Sequence, residues 1–141
     1  MPYLNKHLVR TLEQQHKKTV RGLFLKIQQL NNECLLLMKR LGGTIDFTPY
    51  QAAIDYVDQY VAHTSILNLK FITNSQNLEV VVLHAILLEY ILSNETTHSF
   101  DYEKQLLQDY IKEILTLNDH APVLFANHKE KMHQYINSKT Q

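Results

Sequence analysis

Apolar residues recur in the first third of the chain at the alternating three- and four-residue steps of a helical heptad. This spacing puts them on one side of a single helix predicted over residues 1–41. A helix of this length cannot cover its apolar side alone, so the pattern predicts an interface with other helices of the chain or with a second copy. We call these seven positions the seam: Val20, Leu23, Ile27, Leu30, Cys34, Leu37 and Leu41.

The glycine pair Gly42-Gly43 predicts the C-terminal end of this first helix. Inside the helix, Gly22 lowers helix propensity by about 1 kcal/mol relative to alanine, which favours a close contact with another helix at that point. Polar breaks separate further apolar stripes between residues 48 and 137, and residues 138–141 are predicted to form a frayed tail.

Residues 66–83 fit two secondary structures. Leu67, Leu69 and Phe71 alternate with polar residues, so a β-hairpin with a turn near residues 74–77 is one interpretation. The competing interpretation is a helix that continues to Ser93, and we favour it because the neighbouring stripes are helical. Its heptad positions are Leu78, Val81, Ala85, Leu88 and Leu92.

Taken together, these patterns predict an all-α fold, a bundle of about five helices organised around the long N-terminal helix. The 141 residues are enough for one domain, and three glycines and three prolines leave few turns. We therefore expect a single helical domain over residues 1–141, with a basic helix at 1–41 and acidic or mixed helices at 48–137.

The chain has no net charge, but its charges are unevenly distributed. Residues 1–41 carry eight lysines and arginines against two glutamates, a balance of +6, whereas residues 42–119 carry three against eleven acids, a balance of −8. The basic helix can neutralise the acidic middle of its own chain, or present a basic strip to a partner. The candidate phosphate- or partner-binding residues are Lys6, Arg10, Lys17, Lys18, Arg21 and Lys26.

The lengths of the apolar runs, the N-terminal residues and the cysteine count indicate the compartment and whether the chain associates with a membrane. No apolar run approaches the ~20 residues of a membrane span, and the N-terminus lacks the pattern of a signal peptide. The single cysteine, Cys34, excludes an internal disulfide, and its seam position favours a buried, inert thiol. We expect a cytoplasmic protein without membrane association.

Eight histidines raise the question of a metal centre. His84 and Glu89, and likewise His128 and His133, are five residues apart, a spacing that turns the two side chains about 140° away from each other on a helix. We therefore predict no metal and no other cofactor. His84 lies in an apolar run, where it is either half-buried and hydrogen-bonded to a neighbouring helix or a pH-sensitive or ligand-binding group.

No catalytic motif accompanies these residues, and we expect a protein that is not an enzyme. The segment Arg10–Gln14 resembles the opening of the small helical subunit of type III CRISPR complexes, but a resemblance over five residues implies no function. The first hypothesis is a protein-interaction module, such as a regulator, adaptor, chaperone or immunity-type protein, forming a homodimer through the first helix. The alternative is a nucleic-acid-binding protein that uses the basic strip on the phosphate backbone. The third hypothesis is a ligand-binding pocket at His84.

Overall fold

The computed structural model describes residues 6–63, 74–96 and 99–139. Within these ranges the chain forms five α-helices and no strand, which confirms the predicted all-α bundle. A 3₁₀ turn over Thr48–Tyr50 precedes the second helix. The helices are α1 (Lys6–Gly42), α2 (Gln51–His63), α3 (Asn74–Asn94), α4 (Asp101–Leu115) and α5 (Ala121–Lys139).

Helix α3 occupies the centre of the bundle, since it packs against each of the other four helices. Its apolar residues surround the whole helix instead of forming one stripe, and a helix of this kind is stable only when it is enclosed. The long first helix packs most extensively against this central helix, α3. Ten of its residues are buried: Leu78, Val81, Val82, Leu83, Ala85, Ile86, Leu87, Leu88, Ile91 and Leu92.

The predicted helix boundaries agree with the structure at some ends and differ at others. The glycine pair ends α1 as expected, with Gly42 as its last residue. Residues 74–83 are helical, so the β-hairpin alternative is wrong there, while residues 66–73 lie outside the described part of the chain. At the other end of the chain α5 continues to Lys139. Residues 138 and 139 are therefore helical instead of frayed, and residues 140–141 lie outside the described ranges.

Helix α1 is longer than any described helix beside it. Its 37 residues span about 55 Å, against 21 residues for α3 and 15 for α4. Its described side chains enter the core from Ile27 onward, whereas Arg10, Gln14 and Arg21 are exposed. The C-terminal half of α1 is part of the bundle, and the helix packs against α3 and α4.

Candidate interaction surface

The seam of α1 lies largely inside the core of its own chain. Leu23 is partly buried and packs against that core, and the side chain of Val20 lies outside the described part of the structure. Because α1 packs most extensively against α3, α3 supplies the main cover of the seam. Five of the seven positions are almost completely inaccessible to solvent: Ile27, Leu30, Cys34, Leu37 and Leu41.

The structure describes the side chains of three of the six candidate basic residues of α1: Arg10, Arg21 and Lys26. Arg10 and Arg21 are exposed, and they lie on nearly the same side of the helix. Lys26 points toward α4, where its Nζ lies 3.2 Å from Oε2 of Glu113. It therefore belongs to the contact between α1 and α4. The side chains of Lys6, Lys17 and Lys18 lie outside the described residues.

A second contact between α1 and α4 lies near the C-terminal end of α1. Nε of Arg40 is 3.6 Å from Oε1 of Glu103, and its guanidinium group lies 5.3 Å from the centre of the Tyr102 ring. Such exposed pairs contribute little to stability, typically below about 1 kcal/mol each. They nevertheless show that the acidic middle of the chain uses part of the basic charge of α1, one of the two outcomes anticipated from the charge distribution.

The side of α1 opposite the seam faces solvent and carries three large apolar side chains. Leu25 is 56% exposed, Leu35 is 45% exposed and Leu36 is 67% exposed. Leu25 and Leu36 are three helical turns apart and lie on nearly the same line along α1. We call this side of the helix the outer face. It comprises Arg21, Leu25, Gln28, Gln29, Asn32, Leu35, Leu36 and Lys39, all of them exposed.

The charge on the outer face is entirely positive. Arg21 and Lys39 stand at its two ends, and neither lies within 4 Å of an acidic group among the residues that the structure describes. The side chains between the leucines are neutral amides. The nearest acid of the helix is the partly buried Glu33, whose Oε1 accepts a hydrogen bond from Nε2 of Gln29 over 3.4 Å. Burial raises the pKa of Tyr110 on α4, and Glu33 acts in the same direction. The outer face is therefore apolar at its middle and basic at both ends.

Gly22 adjoins this face, and within the part of the chain that the structure describes it makes no close helix contact, contrary to the expectation from the sequence. It is exposed, and a Cβ atom added to it would meet no heavy atom within 4 Å. The packing reason proposed for this glycine is therefore wrong.

Gly22→Ala is expected to raise the free energy of unfolding by about 0.5–1 kcal/mol, because alanine favours the helix and has room for its side chain here. Thermal unfolding followed by circular dichroism measures the change. The control is Gly42→Ala, whose added Cβ would lie only 3.2 Å from Cε2 of Phe47. This variant should gain less free energy of unfolding than Gly22→Ala. A destabilised Gly22→Ala protein would contradict an open environment at this position.

His84 joins the central helix to α1. Its Nδ1 lies 2.8 Å from Oδ1 of Asn31, and because an amide oxygen only accepts hydrogen bonds, the ring proton is on Nδ1. Burial lowers the pKa of His84 to about 4, so the ring is neutral at physiological pH. The partly buried, hydrogen-bonded histidine anticipated from the sequence is what the structure contains.

A second histidine, His128 of α5, lies in a buried cluster that the sequence analysis did not identify. It is 5% exposed and is the one buried polar side chain in the described part of the core. Its Nδ1 lies 2.9 Å from the hydroxyl of Tyr56 on α2, and its Nε2 lies 3.5 Å from Oε1 of Glu79 on α3. The Tyr60 ring meets the imidazole edge-on, with the ring centres 4.9 Å apart. The cluster therefore connects three helices through one imidazole.

The electrostatics of this cluster favour a neutral ring. Burial lowers the pKa of His128, and Lys131 acts in the same direction, while Glu79 raises it; the net shift is downward. Burial also raises the pKa of Tyr56, which keeps its hydroxyl protonated. A neutral imidazole with its proton on Nε2 satisfies both neighbours, since it accepts from Tyr56 and points its N–H toward Glu79.

A signal for His128 was present in the sequence. It stands four residues after Leu124 and four before Met132, so it occupies the apolar side of α5 that those residues define. We considered His128 only as a metal ligand with His133, and for that role the five-residue spacing is unfavourable.

A pocket of about 140 Å³ opens between α3 and α5. Nζ of Lys129 lies 2.6 Å from Oε1 of Glu89 at its wall, so these two charges neutralise each other. Ser93 and Asn94, also in its lining, donate hydrogen bonds to backbone carbonyls of their own helix. These four polar groups of the pocket wall are therefore paired within the fold, and the rings of Tyr90 and His133, 6.0 Å apart, complete its polar lining.

Cys34 is a buried free cysteine. Burial raises the pKa of the Cys34 thiol to about 12, which suppresses the nucleophilic thiolate. No three histidine, cysteine, aspartate or glutamate residues among those described are arranged to hold a metal ion. In the same ranges, no helix combines the length and hydrophobicity that crossing a membrane requires.

The exposed outer face of α1 is therefore the feature of the described structure that folding leaves unexplained. Comparison with models of protein families, with curated proteins and with solved structures finds no match for this chain.

Proposed function

We propose that this chain is a non-enzymatic protein-interaction module that binds a partner protein through the outer face of α1. The observation that carries the proposal is the exposure of Leu25, Leu35 and Leu36 on the side of the helix opposite its buried seam. Single exposed leucines are common, but three on one side of one helix form a patch of the kind that marks interaction sites. The bundle then acts as a support that holds α1 rigid.

The location of the seam favours a heterologous partner over the homodimer first inferred from the heptad pattern. A second copy would need the apolar positions between Ile27 and Leu41, which are already packed inside the chain. The outer face remains available, because its leucines need no rearrangement of the bundle to meet another surface.

Nucleic-acid binding is the second candidate, supported by the exposed Arg10 and Arg21 on one side of α1. These arginines could neutralise phosphates, and such binding would weaken steeply with salt. The leucines between Arg21 and Lys39 argue for a protein partner, since a phosphate backbone offers them no apolar surface.

A capture experiment with matched variants tests the proposal. Tagged wild-type protein is expected to retain discrete proteins from a native cell extract treated with nuclease, and the double variant Leu25→Glu, Leu36→Glu is expected to lose them. The control is Tyr102→Glu with Val123→Glu, two hydrophobic residues that are each 60% exposed but lie on α4 and α5. Each of these exposed substitutions should change stability by no more than about 0.5 kcal/mol, which circular dichroism can verify.

Two results would contradict the proposal. If the Leu25→Glu, Leu36→Glu protein retained the same partners as the wild type, the outer face would not be the binding surface. If nuclease removed all captured material, and the Arg10→Glu, Arg21→Glu variant captured none, nucleic-acid binding would replace protein binding as the proposed function.

A further inference from the structure

The geometry of the outer face points to the class of its partner: we infer that it binds an amphipathic helix whose apolar stripe is flanked by acidic side chains. This inference rests on the proposed function and specifies the partner's chemistry. It follows from the spacing of the leucines, from the charge at both ends of the face and from the cost of pairing the face with itself.

The apolar part of the face has the dimensions of a helix–helix contact. Leu25 and Leu36 are eleven residues apart, which is three turns and about 16 Å along α1. Leu35 broadens the patch to one side, and Asn32 lies between the leucines. A partner helix of three to four turns can place side chains at its own three- and four-residue spacing against this patch.

The two cations at the ends of the outer face favour a partner helix that carries acidic residues on both sides of its apolar stripe. Arg21 and Lys39 are five turns apart on the same line of α1, so they bracket the leucines. Between them the exposed positions of the face carry neutral amides and no acid. A partner with glutamates or aspartates near both ends of its apolar stripe would pair with these two cations, whereas a basic partner would be repelled.

A second copy of this chain does not meet that requirement. Parallel pairing through the outer face would put Arg21 beside Arg21 and Lys39 beside Lys39. Antiparallel pairing centred on the leucines would put Arg21 beside Lys39 at both ends. Each arrangement brings like charges together around the apolar patch, which opposes association.

Three synthetic peptides of about 20 residues test the inference. They share one leucine stripe at helical spacing and differ only in their flanking residues, which are glutamate, glutamine or lysine. Binding to the full-length protein is measured by fluorescence anisotropy at about 0.05 M and about 0.5 M NaCl. Phosphatidylcholine vesicles containing one quarter phosphatidylglycerol and a DNA duplex of about 20 base pairs serve as alternative ligands.

The glutamate peptide is expected to bind best and the lysine peptide about tenfold or more weakly, since two favourable charge pairs become two unfavourable ones. The difference should shrink at high salt. Arg21→Glu with Lys39→Glu is expected to reverse the order of the two peptides, which a general loss of folding would not do. Leu25→Glu with Leu36→Glu is expected to abolish binding of the glutamate peptide.

Several outcomes would overturn the inference. They are equal binding of the glutamate and glutamine peptides, no binding of the glutamate peptide, or stronger binding of vesicles or DNA that depends on Leu25 and Leu36. The capture experiment separates this failure from that of the proposed function. If the Leu25→Glu, Leu36→Glu variant loses captured partners but the glutamate peptide does not bind the wild type, the proposed interaction module stands. The inference that its partner is an acidic amphipathic helix is then wrong.

Discussion

Leu30→Ala is expected to lower the free energy of unfolding by about 3 kcal/mol, whereas Leu36→Ala on the same helix should change it by less than about 0.5 kcal/mol. Leu30 is completely buried in the seam, so shortening its side chain leaves a cavity among well-packed neighbours. Leu36 is 67% exposed, so the same chemical change removes few contacts. Chemical denaturation of the two variants and the wild type measures both values.

The pair of variants also tests which surface of α1 the bundle uses. Similar losses at Leu30 and Leu36 would contradict the assignment of the seam to the core and of the outer face to solvent. The wild-type denaturation midpoint should be independent of protein concentration. A midpoint that rises with concentration would indicate that folding is coupled to self-association and would support the homodimer predicted from the heptad pattern.

Acidification is expected to destabilise the protein through its two histidines with lowered pKa values. The pKa of His84 is about 4 in the folded state, and the pKa of His128 is also lowered, whereas the pKa of a histidine in the unfolded chain is close to its ordinary value of 6.5. Below about pH 6.5 the unfolded chain therefore binds more protons than the folded one, and stability falls as pH falls. For His84 the loss between pH 7 and about 5 is about 2 kcal/mol, and it is complete near its folded pKa.

His84→Asn separates this effect from the titration of carboxyl groups. Asparagine does not titrate and keeps a donor for Asn31, so the variant should lose much less stability between pH 7 and about 5 than the wild type does. The control is His120→Asn, which removes an exposed histidine and should leave the pH dependence unchanged. Equal pH dependence in the wild type and the His84→Asn protein would contradict the assignment of the effect to His84.

The prediction of helices from the sequence depended on periodicity, and it was most reliable where the apolar stripe was long. The three- and four-residue steps of α1 and α3 were correct because each buries at least one complete stripe, and the glycine pair marked the end of α1. The patterns do not indicate which of these two helices contacts all the others. The heptad pattern of α1 is more regular, but α3 is apolar on all sides, and that property places it at the centre.

The candidate site was only partly predictable. Five seam positions are buried, namely Ile27, Leu30, Cys34, Leu37 and Leu41, but their spacing is the same for a contact within the chain and for a contact between copies. Lys26 was grouped with the other basic residues because it is near them in sequence, whereas its place on the helix directs it to Glu113. The outer face was not predicted, since three leucines among amides and cations do not stand out from the seam in a linear pattern.

The pattern of apolar residues is sufficient to predict that this chain folds into α-helices, that the first of them ends at the glycine pair, and that many residues of α1 and α3 are removed from water. These properties follow from helical periodicity and from residues near one another along the chain. The packing of the helices is needed to show that α3 is enclosed by the others, that His128 contacts Tyr56 and Glu79, and that Leu25, Leu35 and Leu36 remain exposed. The physical reason is that hydrophobic burial is not directional: a pattern identifies the side chains that avoid water, but not the side chains that cover them.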